Sequence, residues 1–89
     1  MYVAIKHTIA DPEAFQERGR KVTSAENLPA GVKPLQFFPK PDLSTAICLY
    51  EGPSVEEVRR HVDGYIGDAA RNEFFEVAEN YSFGLPGRK

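Results

Sequence analysis

The segment TAICLYEG, Thr45–Gly52, constrains the fold most, because the majority of its residues are apolar or aromatic. The sequence that follows, PSVEEVRRHV, has apolar residues three and four positions apart among charged ones. This change of pattern at Gly52 predicts a β-strand followed by an amphipathic helix. A strand with one solvated face needs an apolar residue only at every second position. The segment therefore predicts a strand that is covered on both faces.

Four strands and two helices are predicted, in the order β-α-β-β-α-β. The predicted strands are Tyr2–Ile9, Val32–Phe38, Thr45–Gly52 and Glu73–Ala78, and the predicted helices are Pro12 to about Ser24 and Val55 to about Ile66. Asp11 is the predicted N-cap of the first helix, and Ser54 forms a capping box with Glu57 at the second. This order predicts a ferredoxin-like α+β fold. Both helices would lie on one face of a four-stranded antiparallel sheet, with the first and third strands at its centre.

The predicted strands are apolar on both faces, although two helices can cover only one face of the sheet. On the third strand, Ile47 and Leu49 point one way while Cys48 and Tyr50 point the other. Monomeric proteins seldom leave contiguous apolar patches larger than about a few hundred Å² in water. We therefore expect a homodimer that packs sheet on sheet. The alternative is that the C-terminal tail, about residues 80–89, folds across its own sheet.

Composition excludes several classes of partner. A net charge of -2 at pH 7 argues against nucleic-acid binding. No apolar run approaches the roughly 20 residues of a membrane helix, and the N-terminal sequence MYVAIKHTI lacks the features of a secretory signal. The single cysteine, Cys48, excludes an internal disulfide and fits a reducing compartment. We therefore expect residues 1–89 to form one cytoplasmic domain.

Four residues are candidates for a functional site. His7 shares a face of the first strand with apolar residues. It is either a hydrogen-bonded core histidine or the general base or metal ligand of a cavity. Glu51 ends the third strand and is the second candidate catalytic residue if its carboxylate points into the mouth of that cavity rather than into solvent. Tyr50 and Tyr65 are candidate ligand-binding residues, because their hydroxyls could orient a small molecule.

Other residues are interpreted as structural. Cys48 is predicted to be a buried, inert thiol, since no cation neighbours it in sequence. His61 is predicted on the polar side of the second helix, paired with Glu57. Gly19 weakens the first helix and is interpreted as a close contact. Asn72 is interpreted as part of a structural segment. The histidines and the cysteine have no spacing typical of a zinc or iron site.

The segment CLYEGPSVEEVRRHV, together with NEFFEV, resembles a small bacterial family of unknown function that has a ferredoxin-like fold. The matching residues are a histidine in the first strand, His7, and then Cys48, Leu49, Glu51, Pro53, Ser54 and the Glu76–Val77 pair. The resemblance implies a dimer. One subgroup of that family is described as nickel-binding, which makes His7 a metal ligand in an alternative interpretation. Nickel-binding members look rich in histidine, whereas this chain has His7 and His61.

The chain is also similar, more broadly, to the dimeric α/β-barrel superfamily, which includes small monooxygenases, polyketide cyclases, isomerases and binding proteins. Fold alone does not choose among these activities. The favoured interpretation is a homodimer that binds a small organic ligand between sheet and helices and could perform acid–base chemistry without a cofactor. Two alternatives stay open, a protein that binds nickel or another transition metal and a structural or accessory protein without a ligand.

Overall fold

The computed structural model describes residues 1–86 and contains one four-stranded antiparallel sheet and two helices. The strands are β1 (Tyr2–Ile9), β2 (Lys33–Pro39), β3 (Thr45–Glu51) and β4 (Ala70–Glu76), and the helices are α1 (Pro12–Val22) and α2 (Val55–Ile66). The strand order β2-β3-β1-β4 places the first and third strands at the centre. The predicted ferredoxin-like α+β fold is confirmed.

Both helices begin at the predicted N-caps. The Asp11 carboxylate accepts a hydrogen bond of 3.1 Å from the Ala14 amide, and the Ser54 hydroxyl oxygen accepts one of 3.1 Å from the Glu57 amide. Each cap satisfies an amide that has no partner inside its own helix. Within residues 1–86, neither helix has the length and apolar character needed to cross a membrane.

The last strand begins earlier than the sequence predicts. It was expected at Glu73–Ala78, but β4 starts at Ala70 and ends at Glu76. The reason is its ladder with β1, which runs from the pair Val3 and Glu76 to the pair Ile9 and Ala70. Pairing with a central strand therefore extends β4 through a polar segment that has little strand propensity of its own.

One face of the sheet carries the core. Val3, Ile5 and His7 of β1 and Cys48 and Tyr50 of β3 lie on this face and are buried. The helices contribute five buried apolar residues to the same core: Phe15, Val22, Val58, Val62 and Ile66. We call this the helix face. It is built by the alternate residues of the two central strands that the sequence predicts to be apolar.

The opposite face of the sheet, here called the open face, stays partly uncovered. It is centred on three large apolar residues that are 61 %, 45 % and 59 % exposed: Phe38, Ile47 and Phe75. Leu49 on the same face is buried. The Tyr2 hydroxyl donates a 3.2 Å hydrogen bond to the Pro86 carbonyl oxygen, so the tail returns to one end of this face. Up to residue 86, the tail does not cover the rest of this face.

The tail does not bury its aromatic side chains against its own sheet. Tyr81 and Phe83 are instead 86 % and 100 % exposed, so neither ring is buried within its own chain. Residues 87–89 of the predicted tail lie outside the described residues.

Candidate functional site

A cavity of about 420 Å³ opens between α1 and the helix face of the sheet. Its volume falls in the range of about 300–1,000 Å³ typical of small-molecule sites. The walls are mostly apolar and include Phe15 from α1 and Phe37 from β2. Polar groups come from the strands, at His7, Cys48 and Tyr50, and from α1 and the residue after it, at Gln16, Arg20 and Thr23. The combination of apolar walls with a few convergent polar groups is typical of a ligand-binding site.

The cavity exists because α1 carries a glycine at the centre of its buried face. Phe15, Gly19 and Val22 have the i, i+4, i+7 spacing of one helix face, and Phe15 and Val22 are buried. A Cβ atom at Gly19 would meet no atom within 4 Å, although Gly19 lines the cavity. The interpretation of Gly19 as a close contact is therefore wrong. The missing side chain leaves space rather than admitting a neighbour.

Two phenylalanine rings form one wall beside the histidine. The ring of Phe15 lies edge-on to the His7 ring, with 5.1 Å between centroids, and stacks on Phe37 with 6.2 Å between centroids. Phe37 is 50 % exposed and so lies at the rim of the cavity. A bound molecule would therefore meet aromatic surface between the solvent and the imidazole.

His7 is buried, and both of its ring nitrogens have partners. Its Nδ1 lies 2.6 Å from Asn72 Oδ1, and its Nε2 lies 3.0 Å from Cys48 Sγ. Asn72 Nδ2 in turn donates a 2.8 Å hydrogen bond to Asp63 Oδ1. The continuous series of hydrogen bonds that ends at the cavity thus includes one residue from each of α2, β4, β1 and β3.

This series of hydrogen bonds fixes the tautomer of His7. A carboxylate only accepts hydrogen bonds, so Asp63 holds the amide of Asn72 with its nitrogen outward and its oxygen toward His7. That oxygen requires a hydrogen on His7 Nδ1. In the neutral ring, Nε2 then carries the lone pair, and the Cys48 thiol donates to it. The basic nitrogen of His7 is therefore directed at the thiol.

Burial keeps the three polar groups that the strands contribute to the cavity neutral. Desolvation lowers the pKa of His7 below its ordinary value of 6.5, against the opposing effects of the Asn72 hydrogen bond and the Asp63 charge. Desolvation also raises the pKa of the Cys48 thiol to about 12 and raises the pKa of Tyr50. At neutral pH the pair is an imidazole and a thiol rather than an imidazolium and a thiolate.

Tyr50 has an unused hydrogen-bonding group. The residue is 2 % exposed and lines the cavity, and no hydrogen bond joins its hydroxyl to any of residues 1–86. Within those residues, no fully enclosed side-chain nitrogen or oxygen lacks a partner. The Tyr50 oxygen is therefore accessible to solvent, and because Tyr50 lines the cavity, a ligand atom bound there could bond to it.

Two of the four predicted site residues come together, and two do not. His7 and Tyr50 both line the cavity. Glu51 follows Tyr50 on β3 and, by the alternation of the strand, points to the open face; it pairs in register with Tyr2. Tyr65 packs edge-on against the His61 ring, with 5.2 Å between centroids. Neither Glu51 nor Tyr65 lines the cavity.

His61 is not on the polar side of α2. It is buried, and its Nε2–H donates a 2.8 Å hydrogen bond to the Val22 carbonyl oxygen. This carbonyl belongs to the last turn of α1, where acceptors have no partner within the helix. The predicted pairing of His61 with Glu57 is wrong because this acceptor on the neighbouring helix draws the imidazole inward.

The residues around His7 do not fit a metal site. Among residues 1–86, no three side chains of histidine, cysteine, aspartate or glutamate are grouped so that they could hold an ion. Cys48 is a potential metal ligand in contact with one ring nitrogen of His7. The other ring nitrogen of His7 is hydrogen-bonded to Asn72. The nickel interpretation therefore finds no ligand set in the described part of the chain.

No protein-family model, curated protein or solved structure matches this chain. The chemistry of the cavity is therefore inferred from its own residues.

The lowered pKa of His7 makes stability depend on pH. Between the folded pKa and 6.5, the unfolded chain binds more protons, so the free energy of unfolding falls as pH drops below about 6.5. Urea unfolding at about pH 7.5 and about pH 5.5 should show this loss, and His7→Gln should reduce it. This pH range avoids the titration of Asp42. A hydrogen bond from the Ser44 backbone amide lowers the pKa of Asp42 from its ordinary value of 3.8. An equal loss of stability in both proteins would contradict the assignment of this pH dependence to His7.

Proposed function

We propose that this protein binds a small, mostly apolar organic molecule bearing one carbonyl or hydroxyl oxygen in the cavity between α1 and the sheet. The observation that supports this most is Tyr50, a buried residue that lines the cavity and whose hydroxyl has no hydrogen-bond partner among residues 1–86. Because this oxygen is not fully enclosed, a ligand oxygen that enters the cavity could become its hydrogen-bond partner. The aromatic walls would bury the rest of the molecule.

The cavity also has the parts for acid–base chemistry without a cofactor. His7 Nδ1 is anchored by Asn72, and the Nε2 lone pair is directed at the Cys48 thiol beside the cavity. A neutral imidazole that is held at a fixed position is suited to accept and return a proton near pH 7. His7 is thus the candidate base, whereas Glu51 and Tyr65 have no part in the proposed site.

Titration with 4-phenylbutan-2-one, an aromatic ring joined to one ketone, tests the ligand site. We expect amide chemical shifts in a ¹H–¹⁵N spectrum to change at Gly19, Thr23 and Cys48, which surround the cavity. Tyr50→Phe should weaken binding by about 3- to 10-fold, because one hydrogen bond to the ketone is lost. Shift changes confined to other residues would contradict the assignment.

A matched pair of glycine substitutions provides the control. Gly19→Leu places a side chain in the cavity and should abolish the titration. Gly64→Leu makes the same change on α2, at an exposed glycine where a Cβ also meets nothing within 4 Å. This variant should bind the ketone as the unchanged protein does. Equal binding by both variants would favour the competing interpretation of a structural or accessory protein without a ligand cavity.

We further propose that the protein is a homodimer that pairs the open faces of two copies. Phe38, Ile47 and Phe75 would form the centre of the interface. Lys6 of β1 and Glu73 of β4, paired in register, are both exposed on this face. In a twofold arrangement, Lys6 of each copy can approach Glu73 of the other. The open faces of two copies are therefore complementary in both apolar surface and charge.

A further inference from the structure

The thiol of Cys48 lies where two cavities meet. Cys48 lines the cavity described above and also a neighbouring one of about 210 Å³ on the β2 side, and Tyr50 lines both. Cys48 Sγ is 3.0 Å from the basic nitrogen of His7. A buried histidine that points its lone pair at a thiol, rather than at a backbone donor, places a base and a nucleophile side by side at a ligand site.

We propose that Cys48 adds to α,β-unsaturated carbonyl compounds bound in this cavity, with His7 as the general base and Tyr50 as the hydrogen-bond donor to the carbonyl oxygen. This inference names the substrate class of the proposed ligand site and therefore depends on it. Asn72 is a positioning residue, because it holds the tautomer of His7 without touching the substrate.

The spacing of the two β3 residues suits such a compound. Cys48 and Tyr50 are two positions apart on one strand, so their side chains point the same way from Cα atoms about 7 Å apart. A conjugated carbonyl compound has its oxygen and its electrophilic carbon a few atoms apart. With the oxygen at the Tyr50 hydroxyl, the electrophilic carbon lies on the side of Cys48.

The addition is balanced without any further reactant. The sulfur forms a bond to the β-carbon while the thiol proton moves to His7 Nε2. The electrons of the carbon–carbon double bond shift to the carbonyl oxygen, which the Tyr50 hydroxyl stabilises as an enolate. Nε2 then returns the proton to the α-carbon. The product is a thioether, the His7 ring is restored, and nothing is oxidised or reduced.

The neutral state of the pair gives the reaction a distinctive pH dependence. A solvent-exposed thiol reacts through its thiolate, so its rate rises with pH up to its pKa of about 8.5. Burial raises the pKa of Cys48 to about 12 and lowers that of His7. The reactive pair of thiol and neutral imidazole is therefore present at nearly constant amount between about pH 7 and about pH 9.

The test measures the rate at which 4-phenylbut-3-en-2-one adds to the protein. The rate is followed by intact mass, and peptide mapping locates the adduct. We expect one adduct per chain, on Cys48, with a rate that is constant within about twofold from about pH 7 to about pH 9. His7→Gln should lower the rate by about 100-fold. His61→Gln alters the other buried histidine, which does not line the cavity, and should leave the rate unchanged.

Two rate measurements would overturn the proposal. The first is a rate that rises with pH in parallel with that of N-acetylcysteine, which requires no variant and so does not depend on folding of His7→Gln. The second is a folded His7→Gln that reacts as fast as the unchanged protein. Binding of the saturated 4-phenylbutan-2-one without addition of the unsaturated ketone would overturn the role of Cys48 and leave the ligand site standing. Failure of both ketones to bind would remove the ligand site as well.

Discussion

Replacing Gly52 by alanine is expected to lower the free energy of unfolding by about 2 kcal/mol. Gly52 is buried in the connection from β3 to α2, and a Cβ atom there would lie 2.5 Å from Val58 Cγ2. Val58 is fully buried, and a valine in a helix has one strongly preferred rotamer, so it cannot turn aside. Relief therefore requires α2 to move away from the sheet, and Asp63, which holds Asn72, would move with it.

Urea unfolding monitored by circular dichroism measures this effect. Gly64→Ala is the matched control, because Gly64 lies within α2 and a Cβ there meets nothing within 4 Å. That substitution should raise the free energy of unfolding by up to about 1 kcal/mol, since alanine favours a helix more than glycine does. Gly52→Ala with unchanged stability would show that α2 is not packed as closely on the sheet as described.

Replacing Ile47 by glutamate is expected to convert the proposed homodimer to monomers, with a rise of at least about 100-fold in the dimer dissociation constant, or about 2.7 kcal/mol. Ile47 lies on the central strand β3, next to Lys6 and Phe38 in register. In a paired interface the new carboxylate would lose its water, whereas in the monomer it is solvated beside Lys6. The substitution therefore acts on the dimer and spares the fold.

Sedimentation equilibrium across micromolar concentrations measures the dissociation constant. Gly64→Glu adds the same charge to α2, in the helix layer on the other side of the sheet, and should leave association unchanged. An unchanged protein that is a monomer throughout this concentration range would contradict the proposed dimer. Equal weakening by both substitutions would assign the effect to net charge rather than to the open face.

The fold could be predicted because several local signals agree. The caps at Asp11 and Ser54, the helical spacing after Gly52 and the apolar strands all specify the same order of elements. The start of β4 could not be predicted, because Ala70 and its neighbours are in a strand through pairing with β1 rather than through their own propensity. Local sequence does not record which neighbour a segment will meet.

The candidate site was predicted in part for a related reason. His7 stood out because a polar group on an apolar strand face is unusual, and Tyr50 because its hydroxyl could orient a small molecule. The contact of His7 with Cys48 depends on the register of β1 against β3, and its tautomer depends on Asn72 and Asp63 from two other elements. The prediction that Cys48 is buried is confirmed. Its partner was missed, although antiparallel pairing of the two central strands was the signal that could have found it.

A cavity between sheet and helices was expected, but its position beside Gly19 was missed because a glycine in a helix has more than one physical meaning. Gly19 lies at the right spacing from Phe15 to belong to the buried face, and this spacing was visible in the sequence. A glycine on such a face either admits a close neighbour or leaves a void. Only the position of the sheet opposite α1 decides between them.

The most direct test of the cavity is a crystal structure of the protein with 4-phenylbutan-2-one. We expect the phenyl ring between α1 and the sheet, in contact with Phe15 and Phe37, and the ketone oxygen within hydrogen-bonding distance of the Tyr50 hydroxyl. His7 should keep its bonds to Asn72 and Cys48. A structure in which side chains fill the space beside Gly19, with the ketone bound elsewhere or not at all, would contradict the account.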